Sequence, residues 1–211
     1  GHRFTDDSDT QVLLKAYRAW GRSCVSRFRG MFAFALWDGE TQQMLFARDA
    51  FGKKPMFFCQ AGDTLVFGSE IKALLAFPGM QAGVDRHALF EYFRYRYVPG
   101  PATLYDGITK LPPGSTATWA DGKLTIERYY QPPDGRAHRR SKPVAKPVDG
   151  FLARLDDAVA SRMVADVPFG AFLSGGLDSS AIVALMARHA ATPVRTFSVG
   201  FAEARYSELP H

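Results

Sequence analysis

The apolar residues of this chain keep two different rhythms, and they change over at a proline-rich, basic stretch between Pro132 and Pro147. Before it, short apolar runs are punctuated by turn residues. Met31–Trp37 ends in Asp38-Gly39, a two-residue hairpin signal, and Met44–Arg48 is the expected partner strand. Pro55–Cys59 and Leu65–Gly68 repeat the pattern across Ala-Gly-Asp. After the stretch, Leu152, Leu155, Val159 and Met163 fall on one helical face. Val167–Leu173 then reads as a buried strand, residues 178–189 as a helix, and Thr196–Val199 as a second buried strand. Hairpins followed by a strand–helix–strand unit mean two domains of different class: an antiparallel α+β domain, then the opening of a parallel α/β sheet. The expected division is residues 1–131, a linker at 132–147, and residues 148–211.

Helices complete the first part. Ser8 followed by Gln11 is a capping-box signal, and Leu13, Ala16, Tyr17 and Trp20 continue it as a helix over 9–20. Residues 69–77 and 86–95 are also expected to be helical. Lys110–Gly114 reads as a loop, and the segment up to Tyr130 as a last hairpin. The second part shows only two strands, fewer than a parallel sheet needs to cover its faces and edges, so it reads as truncated. The opening residue is Gly1 rather than Met, which reads as a piece of a longer chain.

Composition narrows the function. With 46% hydrophobic and 22% charged residues among 211, the chain has globular usage, so wholesale disorder is excluded. There is no apolar run long enough for a membrane span and no secretory signal pattern. Of the net charge of +5, the stretch Pro132–Asp149 holds +3, through Arg136, Arg139, Arg140, Lys142 and Lys146 against Asp134 and Asp149. A basic run in a proline-rich linker is a solvated spacer, so no nucleic-acid partner is expected. Cys24 and Cys59 stand in apolar company without CxxC spacing, as reduced thiols of a cytoplasmic protein do.

The string that carries chemistry is Phe172-Leu-Ser-Gly-Gly-Leu-Asp-Ser-Ser180. Ser174, Gly175 and Gly176 stand where a strand turns into a helix, where backbone N–H groups and the helix N-terminus favour an anion. Ser179 and Ser180 add hydroxyl donors. Asp178 would repel phosphates unless a divalent cation lay between, and Mg²⁺ is commonly held by one or two carboxylates plus phosphate oxygens. The pattern is a phosphate cradle with a metal-bridging acid, neither GxxxxGK[ST] nor GxGxxG. Its plain alternative is a serine-capped glycine turn.

This string resembles the pyrophosphate loop of the N-type ATP pyrophosphatases. With Asp166-Val-Pro-Phe-Gly170 before it, it is similar to the glutamine-hydrolysing asparagine synthetase family. Arg29-Gly-Met-Phe-Ala-Phe-Ala35, Arg48-Asp-Ala-Phe-Gly-Lys-Lys-Pro55, Phe67-Gly-Ser-Glu-Ile-Lys-Ala73 and Lys110-Leu-Pro-Pro-Gly114 resemble, in order and spacing, the class II glutamine amidotransferase domain of that family. The resemblance implies a partial αββα-sandwich glutaminase followed by the start of a parallel-sheet ATP-pyrophosphatase domain. It implies ATP and Mg²⁺, with glutamine as amide donor and aspartate as acceptor, and it allows a homodimer.

Carried over by position, Ser174, Gly175, Gly176, Leu177, Asp178 and Ser179 match the pyrophosphate loop, with Asp178 the Mg²⁺ contact. Phe172 and Leu173 match the backbone that meets the nucleotide, and Val199, in Phe197-Ser-Val-Gly-Phe201, matches an adenine contact. Asp9 matches the carboxylate that holds the amino group of glutamine; by spacing alone it would be a first-turn acid favoured by the helix dipole. The family's N-terminal cysteine nucleophile has no counterpart here, since neither Cys24 nor Cys59 is terminal, and the upstream arginine and Asn-Gly-Glu segment are also missing. Tyr206-Ser-Glu208 stands near a family acidic motif. Other acceptors, as in β-lactam-forming or polysaccharide-cluster amidotransferases, and a non-catalytic nucleotide-binding homologue remain rival readings.

Overall fold

The computed structural model describes residues 2–134 and 146–203. The linker residues 135–145 and Tyr206-Ser-Glu208 lie outside that range. The chain divides after Asp134 into two compact units.

In the first unit, α1 (Asp9–Trp20) runs into a 3₁₀ segment (Gly21–Arg27). Ser8 caps α1 by accepting from the Thr10 amide at 3.2 Å. The reciprocal capping box does not form: Asp6 takes the Ser8 amide, and the Gln11 side chain reaches back to Thr5 and Asp6 instead. The hairpin β1 (Ala33–Asp38) and β2 (Gln43–Arg48) follows. Its turn is longer than Asp38-Gly39 suggested, because the Asp38 carboxylate accepts from the amides of Glu40 and Thr41, folding Gly39–Gln42 around it. The next hairpin, β3 (Phe57–Ala61) and β4 (Thr64–Gly68), closes through Gly62-Asp63.

Two helices come next, α2 (Ile71–Leu75), shorter than expected, and α3 (Arg86–Tyr95). After them, β5 (Thr109–Lys110) pairs with β3, and β6 (Ser115–Ala120) and β7 (Lys123–Arg128) form the last hairpin. The hairpin does not stand alone. β6 pairs antiparallel with β2, giving one sheet in the order β1-β2-β6-β7 and a second in the order β4-β3-β5.

Alternation along the strands places the core. Successive side chains point to opposite faces, so neighbours such as Phe46 and Ala47 serve different layers. Phe46 packs with Phe58, Met56, Leu111 and Ala117 between the two sheets, its ring 5.5 Å from that of Phe58 and 4.9 Å from that of Phe67. Ala47, on the other face of the larger sheet, packs under Ala16, Cys24 and Val25 of α1 and the 3₁₀ segment. Cys59, on the outer face of the smaller sheet, packs with Leu74 of α2 and Ile108.

The second unit opens with α4 (Pro147–Ala160). Pro147, read as the end of the linker, is the first residue of this helix, where its missing N–H costs nothing. Met163 lies past its end. The parallel pair β8 (Gly170–Phe172) and β9 (Arg195–Phe197) flanks α5 (Leu177–His189). His189 and Arg188 of α5 reach Asp156 of α4 at 2.9 and 3.6 Å. Neither strand is buried: Phe172 is 78% exposed and Phe197 57%. The expected strand Val167–Leu173 shrinks to three paired residues. An apolar run is buried only where a partner surface covers it, and here each strand has a single neighbour among the described residues.

Candidate functional sites

The first unit contains an open cavity of about 800 Å³. Asp9 and Thr10 line it from the N-terminus of α1, Arg27 from the end of the 3₁₀ segment, Arg29 from the turn before β1, and Lys54 and Pro55 from the loop after β2. One carboxylate at a helix start and three cations around the same space suit a zwitterion: an ammonium for Asp9, a carboxylate for the cations. Arg27 is held over the Trp20 ring at 4.5 Å.

Lys54 lies in the Arg48–Pro55 string that carries the family resemblance, but the string assigned it no role of its own and did not show the network that places it. Asp49, 2% exposed, accepts from the amides of Phe51 and Lys53 through Oδ1 and of Lys54 through Oδ2, at 2.9–3.1 Å. Burial works against its charge, but the amides of Lys54, Lys53 and Phe51 outweigh it and hold the carboxyl below its usual range. Arg48 braces the same loop, its guanidinium donating to the carbonyls of Lys54, Leu111 and Gly52 at 2.6–2.8 Å. Gly52 has φ +64, and a Cβ there would sit 2.9 Å from Pro113 Cγ and 3.0 Å from Arg48 Cζ, so only glycine closes this loop. Tyr129 donates to the Arg48 carbonyl at 2.8 Å; burial and then the charge of Asp49 push its phenol up to about 12. The signal in the sequence was Asp-x-x-Gly after a strand, an Asx-turn pattern.

Cys24 and Cys59 are both buried, and burial pushes both thiols up, away from the thiolate a nucleophile needs. Neither lines the cavity.

In the second unit, Leu173–Gly176 link β8 to α5. Gly176 is the N-cap residue, and no side chain caps the helix. Gly175 takes φ +78, a conformation that turns the backbone sharply at no steric cost to glycine. Ser174 and Ser179 share a hydroxyl–hydroxyl hydrogen bond of 3.1 Å across the loop, and the Ser179 hydroxyl also donates to the Gly176 carbonyl. Asp178, in the first turn of α5, has no hydrogen bond or ion pair among the described residues. It is therefore not a helix cap. Leu177 is 87% exposed. Phe172 lies opposite Phe197, so Leu173 and Val199 continue adjacent strands beyond their paired ends. The structure thus gathers the loop residues and Val199 at one end of the parallel pair, and keeps Asp9 in the other unit. Among the described residues, no cluster of three or more His, Cys, Asp or Glu could hold a metal ion unaided. Nor is any helix long and apolar enough to cross a membrane.

Residues 1–130 match the glutamine amidotransferase domain family. The chain belongs to that family. Residues 150–211 match the asparagine synthase family. A Bacillus subtilis protein, asparagine synthetase [glutamine-hydrolyzing] 3, is 39% identical over 208 residues, covering 96% of this chain and 33% of that protein. A second from the same organism, asparagine synthetase [glutamine-hydrolyzing] 1, is 37% identical over 99% of this chain and 32% of its own length. Amidase chry2 of Gibberella zeae is 30% identical over 87% of this chain and 27% of that protein. The chain spans about a third of the length of the asparagine synthetases it matches.

Proposed function

We propose that this chain carries parts of two sites of a glutamine-dependent, ATP-consuming synthetase, with aspartate as acceptor and asparagine as product. The observation that carries the reading is the phosphate loop. Ser174, Gly175 and Gly176 lead into the N-terminus of α5, and the Asp178 carboxylate beside them has no partner among the described residues. Backbone N–H groups and hydroxyls suit phosphate oxygens, and a lone carboxylate there suits a cation shared with them. Asp178 would hold Mg²⁺, whose charge offsets that of the phosphates.

In this reading the acceptor carboxylate attacks the α-phosphorus of ATP. The bond to the bridging oxygen breaks, and pyrophosphate leaves into the loop Ser174–Ser179. Ammonia released from glutamine then displaces AMP from the acyl group. Leu173 and Phe172 place the backbone against the nucleotide, and Val199 packs on adenine. In the first unit, Asp9 holds the glutamine ammonium. The packing around Ala47, Phe46 with Phe58, and Cys59 supports reading this unit as a four-layer αββα glutaminase. Residues 1–131 belong to this glutaminase, and the residues from Pro147 onward open the ATP-pyrophosphatase domain. Free amino acids and ATP as reactants place the reaction in the cytoplasm.

The test is stoichiometry in the complete enzyme. With glutamine, Mg²⁺ and ATP, aspartate should yield asparagine, AMP and pyrophosphate in equal amounts. Formation of ADP and phosphate instead would overturn the reading. The amidase relatives favour a second reading with another carboxylic acid as acceptor, which pyrophosphate release independent of aspartate would support.

A further inference from the structure

The parallel pair β8–β9 comes apart at one rung. In a regular parallel ladder, a residue whose N–H donates to one residue of the partner strand accepts, at its own carbonyl, from the N–H two residues further along that partner. The Leu173 amide obeys the rule, donating to the Phe197 carbonyl at 2.9 Å. The next rung would join the Val199 amide to the Leu173 carbonyl, and that bond is not made. The Ser198 hydroxyl takes its place, donating to the Leu173 carbonyl at 2.6 Å, the one hydrogen bond that carbonyl receives among the described residues.

The substitution has a geometric consequence. A backbone rung at Val199 would continue the two strands in register past Leu173. The hydroxyl satisfies the same carbonyl from a side chain, so the strands stay tied while Val199 is released from the ladder. The tie sits on the residue just before Ser174, Gly175 and Gly176. We propose that Ser198 is a positioning residue: its hydroxyl ends the ladder at Leu173 and sets the separation between the phosphate loop and Val199. This rests on the pyrophosphate-loop reading and adds to it the residue that shapes the site without touching the phosphates.

The test compares the chain with Ser198→Ala and Ser198→Thr, using inorganic pyrophosphate with Mg²⁺ as the binding probe and amide hydrogen exchange as a ligand-free readout. Ser198→Ala should weaken pyrophosphate binding about tenfold, the effect of one lost hydrogen bond. Its Val199 amide should exchange more slowly as that N–H takes the vacant rung. Ser198→Thr keeps the hydroxyl and should bind within about twofold of the parent. Equal binding by Ser198→Ala, or a loss of equal size in Ser198→Thr, would overturn the proposal. Should Ser198→Ala not fold, Ser198→Cys, a weak donor of similar size, takes its place with a smaller loss in the same direction. If the parent chain itself fails to bind pyrophosphate, the phosphate reading falls. Exchange at Val199 then decides the ladder proposal alone: slower in Ser198→Ala supports it, unchanged overturns it.

Discussion

Asp49 and Asp178 each stand within three residues of a glycine in a left-handed turn, Gly52 and Gly175, yet their surroundings are opposite. Asp49 is almost fully buried and saturated by three amides of its own loop. Asp178 is exposed and has no partner among the described residues. The same contrast holds for the units around them. The first encloses Phe46, Phe58, Leu74, Ile108 and Leu111, whereas the described part of the second buries only Val159 and Met186 among its apolar side chains. A saturated carboxylate is an architectural element, already committed to its own chain. An unpartnered one at a helix start is available to a cation. In the first unit the fold positions the site through burial; in the second, backbone conformation does most of it.

The contrast can be broken most directly in the core. Phe58→Ala should cost the first unit about 4 kcal/mol, from lost transfer energy and the cavity left between the sheets. All three tryptophans, Trp20, Trp37 and Trp119, lie in that unit, so denaturant unfolding followed by tryptophan fluorescence reports on it selectively. A shift of under 1 kcal/mol would mean the two sheets are not packed as described.

Asp49→Ala should destabilise the same unit by about 3 kcal/mol by leaving buried amides unpaired. The pH dependence has a definite sign. The folded carboxyl is held below its unfolded value, so its contribution is complete above that value, about pH 4, and is lost as pH falls through the lower folded pKa. Acid titration of the parent, followed by the same fluorescence, should lose stability only below about pH 4, and the variant should show a flatter acid limb.

Asp178→Asn sharpens the other side. In the complete enzyme, synthesis should fall about a hundredfold, the loss of an electrostatic contact worth about 3 kcal/mol, while folding and glutamine hydrolysis stay intact. Pyrophosphate release measured against Mg²⁺ concentration checks it; an unchanged rate and metal dependence would remove Asp178 from the reaction. The smallest effect is expected of Phe172→Ala. At 78% exposure, its loss should change the thermal midpoint of the chain by no more than about 0.5 kcal/mol corresponds to, which calorimetry would test.

What was legible in the sequence follows how local each feature is. The bounds of α1 were readable because Ser8 and the helical period both act within a few residues. The hairpin β1–β2 was readable too, but not its turn, because the Asp38 carboxylate gathers two amides and lengthens it. That β6 would lie beside β2 was not readable, since strand neighbours so far apart in sequence leave no periodic trace. The apolar run Val167–Leu173 showed what could be buried, not what covers it. At the sites, the glycine-serine string is contiguous and was plain to see. Asp9 entered only by resemblance. Lys54 stood inside a family-like string, but its place at the cavity was not readable, because it depends on Asp49 and Arg48 bonding to backbone, which any residue type supplies.

The strand order β1-β2-β6-β7 also sets a timetable for synthesis. The hairpin β1–β2 is made early, but β2 does not receive its second neighbour until β3, β4, two helices and β5 have left the ribosome. At about 5–20 residues per second, that is a wait of several seconds, during which one long edge of β2 lies open to any other unpaired strand. Within this unit, misassembly is therefore a hazard of birth rather than of age, and it ends when Ser115–Ala120 docks.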